Sequence, residues 1–145
     1  NSLVLDPNGL EEHNIKLQAK YARITEAEQK AEVSNCEDAE LAIVAYGSTA
    51  RIAKTAITQL RQEGFKVGLV RPISLWPFPV KAFEEVIPTV KSFLTVEMSA
   101  GQMVEDVRLT VNGRKPVYFY GRMGGIVPTP EEIAAQVREI LGGAK

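Results

Sequence analysis

One run of residues constrains the fold more than any other. Leu41-Ala42-Ile43-Val44-Ala45-Tyr46 is continuously apolar and stops at Gly47-Ser48-Thr49. A strand with one wet face alternates apolar and polar residues, whereas an unbroken run marks a strand covered on both faces, as in a parallel sheet. Parallel neighbours need a crossover, usually a helix. The next segment supplies one, with Ala53, Ala56, Ile57 and Leu60 on a single face and Gly64 placed as its left-handed C-terminal cap.

The same alternation continues to the end of the chain. Lys66 to Val70 reads as a second strand, ending at Arg71-Pro72. A short helix begins near Pro79, turns Val80, Phe83 and Ile87 inward, and closes at Pro88. Ser92-Phe93-Leu94-Thr95-Val96-Glu97 reads as a third strand. A helix with Val104, Val107 and Val111 inward follows, stopped by Asn112-Gly113, and Pro116 to Tyr120 gives a fourth strand. In the last helix Thr129 is the N-cap, Pro130 the first helical residue and Glu132 the far half of a capping box. Ile133, Val137, Ile140 and Leu141 form its buried face, and Gly142-Gly143 end it.

Four such units in a row predict a three-layer α/β/α sandwich with a mainly parallel sheet and right-handed crossovers. With the first apolar strand central, the expected order is second, first, third, fourth. The topological switch then falls between Gly47-Ser48-Thr49 and Glu97-Met98-Ser99, where ligands of open α/β sheets commonly sit.

The N-terminal part reads differently. Asp6-Pro7-Asn8-Gly9 carries a turn signal, and a helical pattern runs from Asn14 to about Val33 with Leu17, Tyr21 and Ile24 on one modest stripe. The expected division is therefore a connector and helix over residues 1–36 and a compact domain over 37–145. The chain opens at Asn1 without an initiator methionine, as a piece of a longer polypeptide or a tag remnant would.

Charge and cysteine usage exclude several function classes. The chain has 17 basic and 18 acidic residues, well mixed, so nothing concentrates positive charge for a nucleic-acid backbone. No apolar run approaches the length of a membrane span, and no secretory leader opens the chain, so the expected location is the cytoplasm. The single cysteine, Cys36, is followed by two acidic residues, Glu37 and Asp38, and reads as an unreactive surface or linker thiol. One thiol and one histidine, His13, provide no metal site, no iron–sulfur cluster and no Ser-His triad.

Four segments carry candidate chemistry, each with a structural alternative. Gly47, Ser48 and Thr49 open a helix and offer amides to an anion, although no full phosphate motif is present; the alternative is an ordinary turn. Arg122, in the glycine-rich loop Gly121-Arg122-Met123-Gly124-Gly125, is a second candidate anion ligand. Arg71-Pro72-Ile73-Ser74-Leu75-Trp76-Pro77-Phe78-Pro79 is either an aromatic ridge for a partner or a cover over the core edge. Glu97 is either a buried acid or a cap for the following helix. Arg71, Trp76, Phe78, Glu97, Gln102 and Gly124 are the candidate contacts to neighbouring domains or subunits. Glu105-Asp106 reads as a solvated face, and no nucleophile, base and orienting group can be assembled.

Taken together in order, Asp38-Ala39-Glu40, Ala45-Tyr46-Gly47-Ser48-Thr49-Ala50-Arg51, Val67-Gly68-Leu69-Val70-Arg71-Pro72, Trp76-Pro77-Phe78-Pro79 and Glu97-Met98-Ser99-Ala100-Gly101-Gln102-Met103 resemble a known family. They are similar to the alpha subunit of 2-oxoacid:ferredoxin oxidoreductases, on the 2-oxoglutarate or 2-oxoisovalerate side. The resemblance runs from about Asn14 nearly to the end. It implies thiamine diphosphate, magnesium and iron–sulfur clusters in the full complex, with ferredoxin and CoA as its partners. The chain lacks the family's Gly-Asp-Gly…Asn-Asn diphosphate pattern and its cluster cysteines. It therefore resembles only the domain that follows the pyrimidine-binding one, similar to the C-terminal domain of transketolase. The implied role is a non-catalytic support for contacts with the pyrimidine-binding domain and the beta and other subunits, with no cofactor of its own. The competing readings are a free-standing flavodoxin-like module for a small anion or nucleotide, and the matching domain of a 2-oxoacid dehydrogenase beta subunit.

Overall fold

The computed structural model describes residues 3–142; Asn1 and Gly143 lie outside the described residues. In chain order the elements are α1 (Pro7–Ala27), β1 (Ala31–Ser34), β2 (Leu41–Val44), α2 (Gly47–Gln62) and β3 (Val67–Pro72). There follow α3 (Val80–Val86), β4 (Ser92–Glu97), α4 (Met103–Val111), β5 (Val117–Gly121) and α5 (Pro130–Gly142). The sheet order is β1-β3-β2-β4-β5. The four strands expected from the sequence pair in parallel and in the expected order.

Every residue of β2 is buried, as its unbroken apolar run requires, and so is every residue of β4, including the polar Ser92, Thr95 and Glu97. Alternate side chains enter two separate cores. Leu41, Ile43, Leu69, Leu94 and Val96 pack beneath α2 and α5 with Leu60, Ile133 and Val137. Ala42, Val44, Val70 and Phe93 pack on the opposite face with Phe83, Val86, Met103 and Val107 of α3 and α4. Two cores separated by one sheet make the three-layer sandwich. Ion pairs clamp its outer layers: Arg138 forks onto both oxygens of Glu63 at 2.9 and 2.7 Å, and Arg114 does the same to Glu84 at 2.7 and 2.8 Å.

Two N-terminal expectations are corrected. The Asp6-Pro7-Asn8-Gly9 segment is the start of a helix, because the Asp6 carboxylate accepts from the Gly9 amide at 2.7 Å and Pro7 suits the first turn. That helix stops at Ala27, and Ala31–Ser34 forms an antiparallel edge strand on β3, with Glu32 opposite Arg71. Four residues with a central charge carry too little period to declare a strand; the exposed backbone edge of β3 decides it.

Cys36 is also corrected. It is buried rather than on the surface, and its sulfur approaches the Leu69 carbonyl at 3.6 Å. A methyl group on Gly68 would lie 2.5 Å from that sulfur, so the thiol and the glycine fill one space. Burial first, and the Glu37 charge second, push the thiol up to about 11.

Candidate functional site

β2, β3, β4 and β5 run in one direction, so the loops leaving their C-terminal ends emerge on one edge of the sheet. All the residues singled out in the sequence lie on or next to that edge. The structure nevertheless assigns them different work.

Glu97, the last residue of β4, is only 2% exposed. Its carboxylate accepts from the amides of Gln102 at 3.1 Å, Met103 at 3.1 Å and Val104 at 2.9 Å, and from the Ser99 hydroxyl at 3.0 Å. Ser99 accepts in turn from the Gly101 amide at 3.1 Å. The first turn of α4 is thus capped by a carboxylate from the preceding strand, placed where the helix dipole favours a negative charge. Of the two readings of Glu97, capping is the one observed, and the carboxylate is engaged within its own chain. Gln102 contributes its amide to this cap and leaves its residue exposed. Glu105 and Asp106 are exposed, with Glu105 paired to Arg108 at 2.7 Å.

Arg122 does not join Gly47, Ser48 and Thr49. Its guanidinium is paired to Glu132 and lies 3.5 Å from the Tyr120 hydroxyl. Glu132 also accepts from the Thr129 amide at 2.8 Å, while the Thr129 hydroxyl accepts from the Glu132 amide at 3.2 Å, so the capping box and the arginine share one carboxylate. The Thr129 amide, followed by Arg122, holds that carboxyl below its ordinary value. Gly124 and Gly125 have φ of +70° and +86°, which only glycine adopts without strain.

The start of α2 gathers other residues. Gly47, Ala50, Arg51, Lys54 and Arg71 line a cavity of about 200 Å³. Lys54 and Arg71 both reach Glu32 of β1, at 2.6 and 2.9 Å. Lys54 first, then Arg71, hold the Glu32 carboxyl below its ordinary value. Arg51 makes no ion pair among the described residues. Tyr46, the N-cap, offers α2 no side-chain cap. Arg51, Lys54 and Glu32 were not singled out in the sequence. The spacing of Gly47, Arg51 and Lys54 along one helical face was a signal for two of them, whereas Glu32 depends on an edge strand that the pattern did not reveal.

The aromatic ridge divides between its two readings. Phe78 turns inward and stacks on Phe83 with ring centroids 5.3 Å apart. Trp76 is 62% exposed and forms a T-shaped pair with Tyr21 of α1, ring centroids 5.7 Å apart. The Trp76–Pro77 peptide bond is cis. The Lys30 carbonyl accepts from the amides of Ile73 and Ser74 at 2.9 and 3.1 Å, and the Ser74 hydroxyl donates to the Pro77 carbonyl at 2.9 Å. The ridge is therefore fixed while its apolar tips stay outside. Tyr46, Ile73, Leu75, Met98, Met123, Ile126 and Val127 are exposed as well, and each follows one of the four parallel strands.

The profile of pyruvate:ferredoxin oxidoreductase core domain II matches residues 39–133, well over half of the chain. The chain belongs to this family. The ketoisovalerate oxidoreductase subunit VorB of Methanothermobacter marburgensis is 44% identical over 141 residues, which are 97% of this chain and 40% of that protein. The 2-oxoglutarate synthase subunit KorA of the same organism is 31% identical over 70% of this chain and 27% of its own length. The chain thus spans well under half the length of these relatives.

A solved 2-oxoglutarate:ferredoxin oxidoreductase from Magnetococcus marinus, with 2-oxoglutarate, coenzyme A and succinyl-CoA bound, superposes with a TM-score of 0.79. It is 28% identical and covers 94% of this chain, which matches 24% of it. A split-gene transketolase, described as an inactive beta4 tetramer, superposes at 0.66 over 78% of this chain with 21% identity, which speaks for the fold alone. The fold is transketolase-C-like, and the family assignment favours the ferredoxin branch over the flavodoxin-like and dehydrogenase readings.

Iron–sulfur clusters are held by several thiolates. The chain has one cysteine, buried against Gly68 and Leu69, and the described residues contain no group of three or more metal-ligating side chains. The residues present do not fit a cluster site. No helix among the described residues is long and apolar enough to cross a membrane.

Proposed function

We propose that this chain is the non-catalytic assembly domain of a thiamine-diphosphate-dependent 2-oxoacid:ferredoxin oxidoreductase. That complex decarboxylates a 2-oxoacid oxidatively to an acyl-CoA and reduces ferredoxin. The domain proper begins at Ala31, where β1 joins the sheet and Cys36 the core, and the helix before it leads from the pyrimidine-binding domain. Thiamine diphosphate, magnesium and iron–sulfur clusters belong to other parts of the complex. A buried free thiol and thiolate-held clusters both suit a reducing cytoplasm.

The observation that carries the assembly role is the row of exposed apolar residues along a single sheet edge. Trp76, Ile73 and Leu75 follow β3, Met98 follows β4, and Met123, Ile126 and Val127 follow β5. Large aromatic residues and methionine are enriched where protein surfaces meet. At this edge the Ser99 hydroxyl and the Glu97 carboxylate meet within the α4 cap, and that carboxylate is saturated by helix amides. The higher identity to ketoisovalerate subunits than to 2-oxoglutarate ones, 44% against 31%, favours a branched-chain 2-oxoacid.

The test is made on the complete complex. Trp76→Ala and Met123→Asp are expected to lower the yield of assembled complex on size-exclusion chromatography, while the melting temperature of the 145-residue chain stays unchanged. Full assembly in both variants would remove the assembly role. Turnover of 2-oxoisovalerate against 2-oxoglutarate, with CoA and ferredoxin supplied, tests the substrate separately.

A further inference from the structure

The cavity beside α2 has a charge imbalance that the assembly role does not use. Three cations, Arg51, Lys54 and Arg71, face or border it, against one anion, Glu32. Lys54 and Arg71 share that single carboxylate, and Arg51 makes no ion pair among the described residues. The excess is therefore two positive charges around about 200 Å³. Like charges held this close repel one another unless an anion lies between them.

We propose that this cavity is a binding site for a phosphate group. Phosphate fits the donor set better than a carboxylate does. A phosphate monoester carries close to two negative charges at neutral pH, matching the excess, and presents oxygens in several directions. Arg51 and Arg71 supply planar forks from two sides, and Lys54 supplies a point charge. Gly47 adds the third element. It has φ of +57° and is exposed, and a Cβ there would meet nothing within 4 Å, so the backbone at the mouth is open to a ligand. The first amides of α2 lie beside the same cations and have no cap from Tyr46.

Size limits the ligand. Pockets that enclose a whole drug-sized molecule begin at roughly 300 Å³. The smaller cavity holds a phosphate group with a few waters, and any sugar and base attached to it lie outside. Glu32 sets the affinity, because an incoming phosphate competes with its carboxylate for Lys54 and Arg71. This site shares the sheet edge but uses none of the exposed apolar residues assigned to assembly, so either proposal can fail without the other.

The experiment is an amide-resolved NMR titration of the chain with inorganic phosphate at fixed ionic strength, repeated with adenosine 5′-monophosphate. The amides of Ser48, Thr49 and Arg51 are expected to shift saturably. Arg51→Gln is expected to weaken binding by about tenfold, the scale of one lost charge-assisted hydrogen bond, and Glu32→Gln to strengthen it. Arg51 is exposed and makes no ion pair among the described residues, so its replacement leaves the fold in place. Equal affinity for both ligands means that only the phosphoryl group is read; tighter binding of the monophosphate means that the natural ligand is a nucleotide. No saturable shift at these amides with either ligand overturns the proposal. So does a shift that Arg51→Gln leaves unchanged.

Discussion

α2 and α4 start on adjacent strands of one sheet, at the same edge, and begin in opposite ways. α4 receives an internal carboxylate: Glu97 is buried and saturated by three amides and a hydroxyl. α2 receives no side chain from its N-cap Tyr46, and an open cavity with surplus positive charge stands beside it. The same backbone need, unpaired amides at a helix start, is met from inside in one case and left to the surroundings in the other. The topological switch of this fold is thus half sealed. Of the two helix starts that flank the switch, the one beside Gly47 is the one left without a side-chain cap.

The sealed side is the more fragile. Glu97→Ala leaves a buried first turn without its acceptor and is expected to cost about 3 kcal/mol, read as a lowered urea midpoint. A loss under about 1 kcal/mol would mean that water caps α4 equally well, and the contrast would collapse. Gly121→Ala attacks the same turn from β5. A Cβ there would lie 2.3 Å from the Ser99 carbonyl oxygen and 2.5 Å from Phe119, so a loss of about 2 kcal/mol is expected in the same measurement.

On the open side the sign reverses. Tyr46→Asp supplies α2 with the cap it lacks and is expected to raise stability by about 1 kcal/mol while weakening phosphate binding. No gain in thermal stability would show that the α2 amides already have an acceptor. The smallest effect concerns pH. Lys54 and Arg71 depress the Glu32 carboxyl, so its contribution to stability is present above the ordinary glutamate value of 4.5 and is lost as pH falls through its lowered folded value. Glu32→Gln is expected to make the acid side of the stability profile slightly shallower, and an unaltered slope would mean that the pair adds nothing.

Much of the fold was legible because it rests on local signals. The unbroken apolar run from Leu41 announced a strand covered on both faces, and Thr129-Pro130-Glu131-Glu132 announced a helix start residue by residue. Asp6 and Pro7 carried a helix-start signal of the same kind, masked by the turn composition of Asn8-Gly9. What stayed illegible depends on partners distant in sequence. β1 is defined by pairing with β3, about 40 residues on, and its own four residues do not insist on it. The site divides the same way. Glu97 was recognised as one of two alternatives because a strand-end acid before a helix has few uses. Arg122, the second candidate anion ligand, is paired with Glu132 across the α5 capping box, a partner ten residues on that its own loop does not announce. The column of Gly47, Arg51 and Lys54 was visible on the helix, yet its meaning waits on Glu32 and Arg71.

The long N-terminal helix has a mechanical consequence. α1 has 21 residues and none of them is buried. Its contacts with the domain gather at one end, where Tyr21 meets Trp76 and the Lys81 ammonium reaches the Glu26 carbonyl at 3.1 Å. A rod of that length measures about 30 Å, so a tilt of about 10° at its anchored end sweeps Pro7 through about 5 Å. The direction of α1 is thus set where Tyr21 meets Trp76, on the same ridge that the assembly role assigns to a partner.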